Sequence, residues 1–375
     1  MIPRLDPRLG PRPAGTAIRV ASRPAMPGAP MPAPTAPAVP APPHAPKSAL
    51  HCEVVTDLGA VEALAPWWEV LLERSRCNRA FSSPRWFLAS CQVMPEWRPY
   101  LVVARRGREL AGVLPLRVDA ASRTAELGGL LSDYNDVVAD PAAPEVAAAL
   151  LAFAGRAPHP FDRLLLGRLR PDSCCLQALP LLAPGAGRHL LDSRICPYAR
   201  LPPSFAEYLR GRGERFRKGL RNAANRAARQ GAAVRELTPA ELPGGALPDA
   251  FLRLHDARFG GKSCFDAAVH RRLAVAVLPP LFAAGRLKVF GLLRGTELLG
   301  IDVCPLGPDS LCVWNGGFAG EAAAWSAGKL LIAAEIACAC RLGLAELDLL
   351  VGAEDYKLAW TTHLRGLADL ELIVQ

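Results

Sequence analysis

The stretch AWSAGKLLIAAEIACACRLG, residues 324–343, follows a strand-like run that ends in Trp314-Asn315-Gly316-Gly317. A Gly-Lys pair opening a long apolar helix just after a strand has the outline of a phosphate cradle. It fails the nucleoside-triphosphate pattern, because Ala323 stands where that loop needs Gly and Leu330 where it needs Ser or Thr. A dinucleotide GxGxxG is also missing. What remains is a helix that begins on the small residues Ser326-Ala327-Gly328. Free amides and the helix dipole at such a start attract an anion, and Gly permits close backbone approach. The competing reading is that Ser326 is a plain N-cap and Gly328 only eases packing. The helix carries just Lys329, Glu335 and Arg341 as charges, which predicts burial against a sheet.

Outward from this stretch, the chain repeats itself. Arg106-Gly107-Arg108-Glu109-Leu110-Ala111-Gly112 returns 188 residues later as Arg294-Gly295-Thr296-Glu297-Leu298-Leu299-Gly300, each time between two apolar β-like runs. Both copies read as hairpins. The same shift carries Gly128-Gly129 onto Gly316-Gly317, and Phe161–Gly167 resembles Leu347–Gly352 at nearly that offset. Three matches in order predict duplicated domains, 48–190 and 191–375.

The second copy predicts a capping box at Ser204–Glu207, a helix over about 214–230, a strand AAVREL, and another capping box at Thr238–Glu241. Helices over about 248–258 and 266–284 follow, the latter broken late by Pro279-Pro280. Then come a hairpin over 286–305, a strand over 310–315, the opening helix, a strand over 345–351, a short helix near 354–360 and a last strand over 366–374. The first copy predicts helices near 61–75 and 84–92. The fold class is mixed α/β (α+β), each half a largely antiparallel sheet flanked by helices.

Composition excludes more than it assigns. The formal charge is +9, but residues 1–47 hold five Arg and one Lys against one Asp, so five of those charges belong to them. With 38 Arg to 6 Lys, the excess points to coding bias rather than to DNA. Residues 1–47 hold 14 of the 36 prolines and read as a disordered tail, within which Met26 and Met31 offer later starts. No apolar run reaches transmembrane length and none marks export, so a cytoplasmic protein is expected. The eleven Cys lack CxxC spacing; Cys338 and Cys340 face different sides of a helix, and reduced thiols with no metal are expected.

These elements resemble the GNAT superfamily of acyl-CoA N-acyltransferases, most closely a tandem branch of CelD-type (cellulose-biosynthesis-associated) and FemAB-like proteins. The residues that carry the likeness are Cys196-Pro197-Tyr198, the basic helix RFRKGLRNAANRAARQG, Leu254-His255 with Arg258, and Trp314–Phe318. Ser326 with Gly328, Asp348 through Gly352 to Tyr356-Lys357 and Trp360, and Asp133-Tyr134 in the first copy complete them. The resemblance covers about residues 52–375. It implies a pantetheine between splayed strands by Asn315, Gly316 and Gly317, with the pyrophosphate on Ser326, Ala327, Gly328 and Lys329. EAAAWSAG replaces the superfamily's usual Gln/Arg-x-x-Gly-x-Gly/Ala loop. The implied function is acyl-CoA-dependent transfer (acetyl-CoA or another acyl-CoA) to an amine acceptor, an amino sugar for polysaccharide biosynthesis being the family's suggestion. FemAB-like relatives take aminoacyl groups from tRNA instead, and a non-catalytic partner of a polysaccharide synthase is the third reading.

Thioester aminolysis needs a neutral amine, oxyanion stabilisation and a proton for the thiolate. Tyr356 is the candidate acid. Asp348 and His255 are candidate bases, though a carboxylate in a core strand is expected to pair with Lys357 or Arg258, and a His beside Phe251 and Leu254 to be a core residue. Glu354 and Asp355 are expected to be the acidic first turn of the short helix. Arg258 shares a helix face with His255 and can line an anionic pocket. Trp314 and Trp360 frame a cleft or fill a core. Between Arg212 and Arg229 lie seven basic residues and one acid; with Phe216, Leu220, Ala223, Ala224 and Ala227 inward, Arg217, Lys218 and Arg221 face out as a solvated face or a dock for an anionic substrate or tRNA. Asp133 and Tyr134 are assigned to the acceptor side, and so is the first copy as a whole.

Overall fold

The computed structural model describes residues 49–156, 158–182, 188–191 and 194–374; the proline-rich stretch 1–47 lies outside them. The first half runs β1 (Leu50–Val55), α1 (Leu58–Arg74), α2 (Pro84–Val93), β2 (Trp97–Arg106), β3 (Glu109–Asp119) and β4 (Thr124–Leu127). It continues with β5 (Val138–Ala139), α3 (Pro144–Ala154), β6 (Arg163–Leu169), α4 (Cys174–Ala178) and β7 (Arg188–Leu191). The second half opens with β8 (Ile195–Arg200), α5 (Phe205–Arg210), α6 (Glu214–Arg229), β9 (Ala232–Leu237), α7 (Ala246–Phe259) and α8 (Ala268–Ala283). The hairpin β10 (Leu287–Arg294) and β11 (Glu297–Pro305) follows, then β12 (Ser310–Cys312), β13 (Asn315–Phe318) and α9 (Ala327–Arg341). Last come β14 (Glu346–Asp348), α10 (Asp355–Leu358), β15 (His363–Gly366) and β16 (Ala368–Ile373).

The two repeated hairpins have the same local geometry. Arg106 pairs with Glu109 and Arg294 with Glu297, and each hairpin bears a register shift just before that pair, at Ala104/Arg105 and at Leu292/Leu293. Gly107 and Gly295 both take φ of 60° in the turn, which a side chain would resist. The Gly-Gly match does not hold in space. Gly316 and Gly317 lie in β13, whereas Gly128 and Gly129 follow β4 and the strand laid on β3 is β5.

Three sheets result. The first has the order β1-β2-β3-β4-β6-β16-β7, with β5 also on β3; the others are β13-β11-β10-β9 and β12-β14-β8-β15. The expected last strand is thus two strands in two sheets: β15 pairs β8, while β16 crosses to lie between β6 and β7 of the first half. The sequence division at 190/191 places β16 with the second half. Side-chain packing joins the halves as well. Phe81, Trp86 and Tyr134 share one core with Phe251, Phe265 and Trp314, the Trp86 and Trp314 rings being 5.3 Å apart. Residues 47–375 accordingly form one unit.

Local chemistry explains where elements differ from expectation. Ser204 caps α5 by accepting from the Glu207 amide. At Thr238 only half of the expected box forms: the amide and the hydroxyl both donate to Glu241 (2.9 and 2.8 Å), while the Glu241 amide donates to the Thr238 carbonyl, so a turn closes and no helix follows. Pro243 arrives too soon for a helix to propagate. Pro279 and Pro280 do not end α8, which continues to Ala283. One of the carbonyls they leave without a helical donor belongs to Val275, which faces solvent. In α6, Ala223 and Ala227 are buried and Phe216 and Leu220 partly so, but Ala224 is exposed. All eleven cysteines are free. No helix among the described residues is long and apolar enough to cross a membrane.

Candidate functional site

The strand expected over 310–315 is broken between two sheets. The Val313 amide donates to the Asp348 carbonyl of β14 (2.8 Å), and the Trp314 amide donates to the Val303 carbonyl of β11 (3.2 Å). One residue therefore transfers the chain from the β14 sheet to the β11 sheet. Beyond it β13 runs on as an edge strand and β14 stops at Asp348, so the two part and leave a notch. Backbone strain sits on both sides of this opening: Leu350 and Ser326 have φ of 58° and 61°. Such conformations cost roughly 1–3 kcal/mol each and persist where the surroundings impose them. At Leu350 the imposing group is Asp348, whose Oδ1 accepts the Leu350 amide (2.8 Å).

Ser326 is not a plain N-cap. In its left-handed conformation the side chain makes no capping bond, and Arg226 of α6 holds the turn by donating to the Ala324 carbonyl (3.1 Å) and to Ser326 Oγ (3.2 Å). The first amides of α9 are left facing outward. They open on a groove of about 780 Å³, lined at this end by Ser326, Ala327, Gly328 and Lys329. Its walls are apolar: Phe216, Gly219 and Leu220 of α6, Phe318, Ile332 and Trp360, with Tyr356 at the rim. A Cβ at Gly328 would meet nothing nearer than the Phe318 ring at 3.9 Å, so this glycine keeps space open rather than relieving a contact.

Tyr356 is half exposed. The protein packed around its ring pushes the phenol up to about 12; Glu354, Asp302 and Glu335 add to the rise and Arg258 opposes it. It keeps its proton throughout the neutral range. Arg258 lies over the rings of Phe259 and Phe318, 4.7 Å from each centroid, which places a cation beside β13.

Other residues singled out from sequence lie elsewhere. Asp348 is fully buried and saturated: besides the Leu350 amide it accepts from the Tyr134 hydroxyl and from Arg365 Nη1, both at 2.7 Å. Through Tyr134 it ties the two halves together. Lys357 donates to the Val351 carbonyl (2.7 Å) and pairs with Glu354, not with Asp348. Asp133 pairs with Arg168 at 3.0 Å; burial lifts its carboxyl to about 6 against the pull of Arg168 and Lys357. His255 is buried among Phe251, Phe259 and Phe265 beside the Ser263 hydroxyl, and burial holds its pKa below the usual value. Trp314 is core. Asn315 starts β13, and Gly316 and Gly317 act by what they lack. A Cβ at Gly317 would strike the Leu254 carbonyl and the His255 Cα, and one at Gly316 would overlap the Asp302 carboxylate.

Arg217, Lys218 and Arg221 are exposed on α6, but the basic residue that lines the groove is Arg215. Sequence reasoning missed Arg215, Gly219 and Arg226. Their helix was recognisable; which of its faces meets the groove depends on how α6 packs on α9. Among the described residues no group of three or more His, Cys, Asp or Glu is placed to hold a metal.

The groove thus has the α9 start at one end and the Tyr356 phenol at its rim. A family profile described as Acetyltransferase (GNAT) domain matches residues 214–358. The match spans α6 to α10, the segment that builds the groove. No curated protein matches the sequence. Among solved structures, FemX is similar over 86% of this chain and 97% of its own, at 13% identity and a TM-score of 0.57. The C-terminal domain of a putative lysylphosphatidylglycerol synthetase from Agrobacterium fabrum is similar over 84% and 92%, at 11% identity and a TM-score of 0.55. At these identities the likeness is one of fold.

Proposed function

We propose that the chain transfers an acyl group from acyl-CoA to an amine acceptor, with Tyr356 as proton donor to the leaving thiolate. An amino sugar of a polysaccharide is the acceptor class suggested by the CelD-type likeness. The observation that supports the reading is the groove at the α9 start: outward amides, Lys329 and open space at Gly328 for a pyrophosphate, with an apolar wall leading to the parted strands. On this reading the first half serves the acceptor side, and its Tyr134 hydroxyl braces the notch by donating to Asp348.

The test is thermal unfolding with and without acetyl-CoA and longer acyl-CoAs, on the wild type and Gly328→Val. Ligand at ~100 times its dissociation constant adds ~2.7 kcal/mol. We expect a clear upward shift in the wild type that the variant loses, since the valine methyls occupy the groove without touching the core. No shift with any acyl-CoA would sink the acyl-CoA reading.

A second reading is favoured by the exposed cationic face of α6 beside the groove, with Arg215 inside it: an aminoacyl-tRNA donor. It requires tRNA affinity that falls steeply with salt and weakens in Arg217→Ala and Lys218→Ala. A protein that binds neither donor would be the non-catalytic partner of a polysaccharide synthase.

A further inference from the structure

The apolar helix α9 carries one charge in its interior, and no donor among the described residues reaches it. Glu335 is fully buried, and neither of its carboxyl oxygens has a hydrogen-bond donor. It faces Asp302, which points from β11 onto the same side of the sheet and is 6% exposed. Two carboxyls facing each other in a core with no donor between them cannot both be ionised; they hold together by sharing a proton. Asp302 is the member nearer the notch. It lies one strand in from the free edge, directly across from Gly316, and only the missing side chain of that glycine leaves room for its carboxylate.

We propose that Asp302 and Glu335 are a one-proton acid pair opening beneath Gly316 onto the notch, and that Asp302 takes from the acceptor the proton an ammonium must lose before it attacks. The proposal rests on the acyl-transfer reading above. The nitrogen arrives as R–NH3+ and ends as an amide N–H, so it sheds two protons. The first goes to the Asp302 carboxylate and from there to water. The lone pair so freed forms the C–N bond, the C–S bond breaks, and the second proton reaches the thiolate by way of Tyr356. Glu335 acts through Asp302 as a positioning residue, its shared proton holding the Asp302 carboxyl towards the edge strand.

The charged and titratable groups around the pair agree with this division. Arg258, from α7, pulls the Asp302 carboxyl down, while burial outweighs it and leaves Asp302 at about 6. Cys304, two residues on along β11, neighbours Glu335, which burial and then Asp302 push well above the ordinary range. From α10, Tyr356 feels the charges of Glu354, Asp302 and Glu335, which all raise its phenol. A base near neutrality and an acid that stays protonated thus flank one edge strand.

The experiment is a carbon-13 carboxyl NMR titration of the full chain, followed by CoA release from acetyl-CoA with glucosamine against pH. One carboxyl should titrate near neutrality, vanish in Asp302→Asn and move to higher pH in Glu335→Gln, whose amide is a weaker donor than the shared proton. In the transfer assay Asp302→Asn should lose the acidic limb and roughly 10²–10⁴-fold in kcat/KM, while Glu335→Gln shifts the limb with the titration. The proposal is overturned if no carboxyl titrates near neutrality, or if the Asp302→Asn profile superimposes on the wild type. If the wild type releases no CoA with glucosamine, the amino-sugar reading fails, and the titration alone decides the pair.

Discussion

At the scale of single residues, Asp348 and Glu335 show how differently two buried carboxyls can be used. Asp348 has three donors and holds a strained turn; removing it would leave Arg365 and Tyr134 unsatisfied in the core. Asp348→Ala should therefore cost about 3–5 kcal/mol, read from urea midpoints, with Tyr134→Phe costing less, about 1 kcal/mol. Glu335 has no donor, and its proton is bound more tightly in the folded chain than in the unfolded one. Its effect therefore runs opposite to that of a salt-bridged acid: stability is highest where both states are protonated and falls as pH climbs from the ordinary carboxylate range through the raised value. Glu335→Gln should flatten that slope, gaining on the wild type as pH rises above the ordinary carboxylate range by ~1.4 kcal/mol for each unit of the shift. Sequence singled out Glu335 as a charge in an apolar helix. It could not pair it with Asp302, because that pairing depends on which face of β11 meets α9.

At the scale of elements, the hairpins, the α9 helix and the short α10 were legible, since each is written in local periodicity and turn chemistry. The strand over 310–315 was misread as continuous because its break is a change of partner, from Asp348 to Val303, and not a change of residue type. The Thr238–Glu241 box was misread because only its carboxylate half forms, and the following proline denies it a helix. The glycines of β13 were read as cofactor contacts. Gly317 lets α7 come against the strand, and Gly316 admits a carboxylate. Gly317→Val should thus unfold or strongly destabilise the chain by driving α7 off β13, whereas Gly328→Val should leave the unliganded melting temperature nearly unchanged. Circular dichroism melts of the two variants side by side separate glycine as spacer from glycine as opening.

At the scale of the whole molecule, duplication was readable and its entanglement was not. The repeat at a shift of 188 residues reports two similar halves, but β16 carries no mark that it belongs in the first half's sheet. Its alternating Leu370 and Leu372 would suit either sheet; only the free edges of β6 and β7 decide. That insertion has a consequence in time as well as in space. A nascent chain that has finished β6 must still leave the edge of its first sheet open until residues 368–373 are made, some 200 residues later. At ordinary elongation speeds of about 5–20 residues per second, that is a wait of ~10–40 s on the ribosome with an unpaired strand edge. During synthesis, then, the half that folds first is the half most exposed to capture by chaperones or by a neighbouring copy.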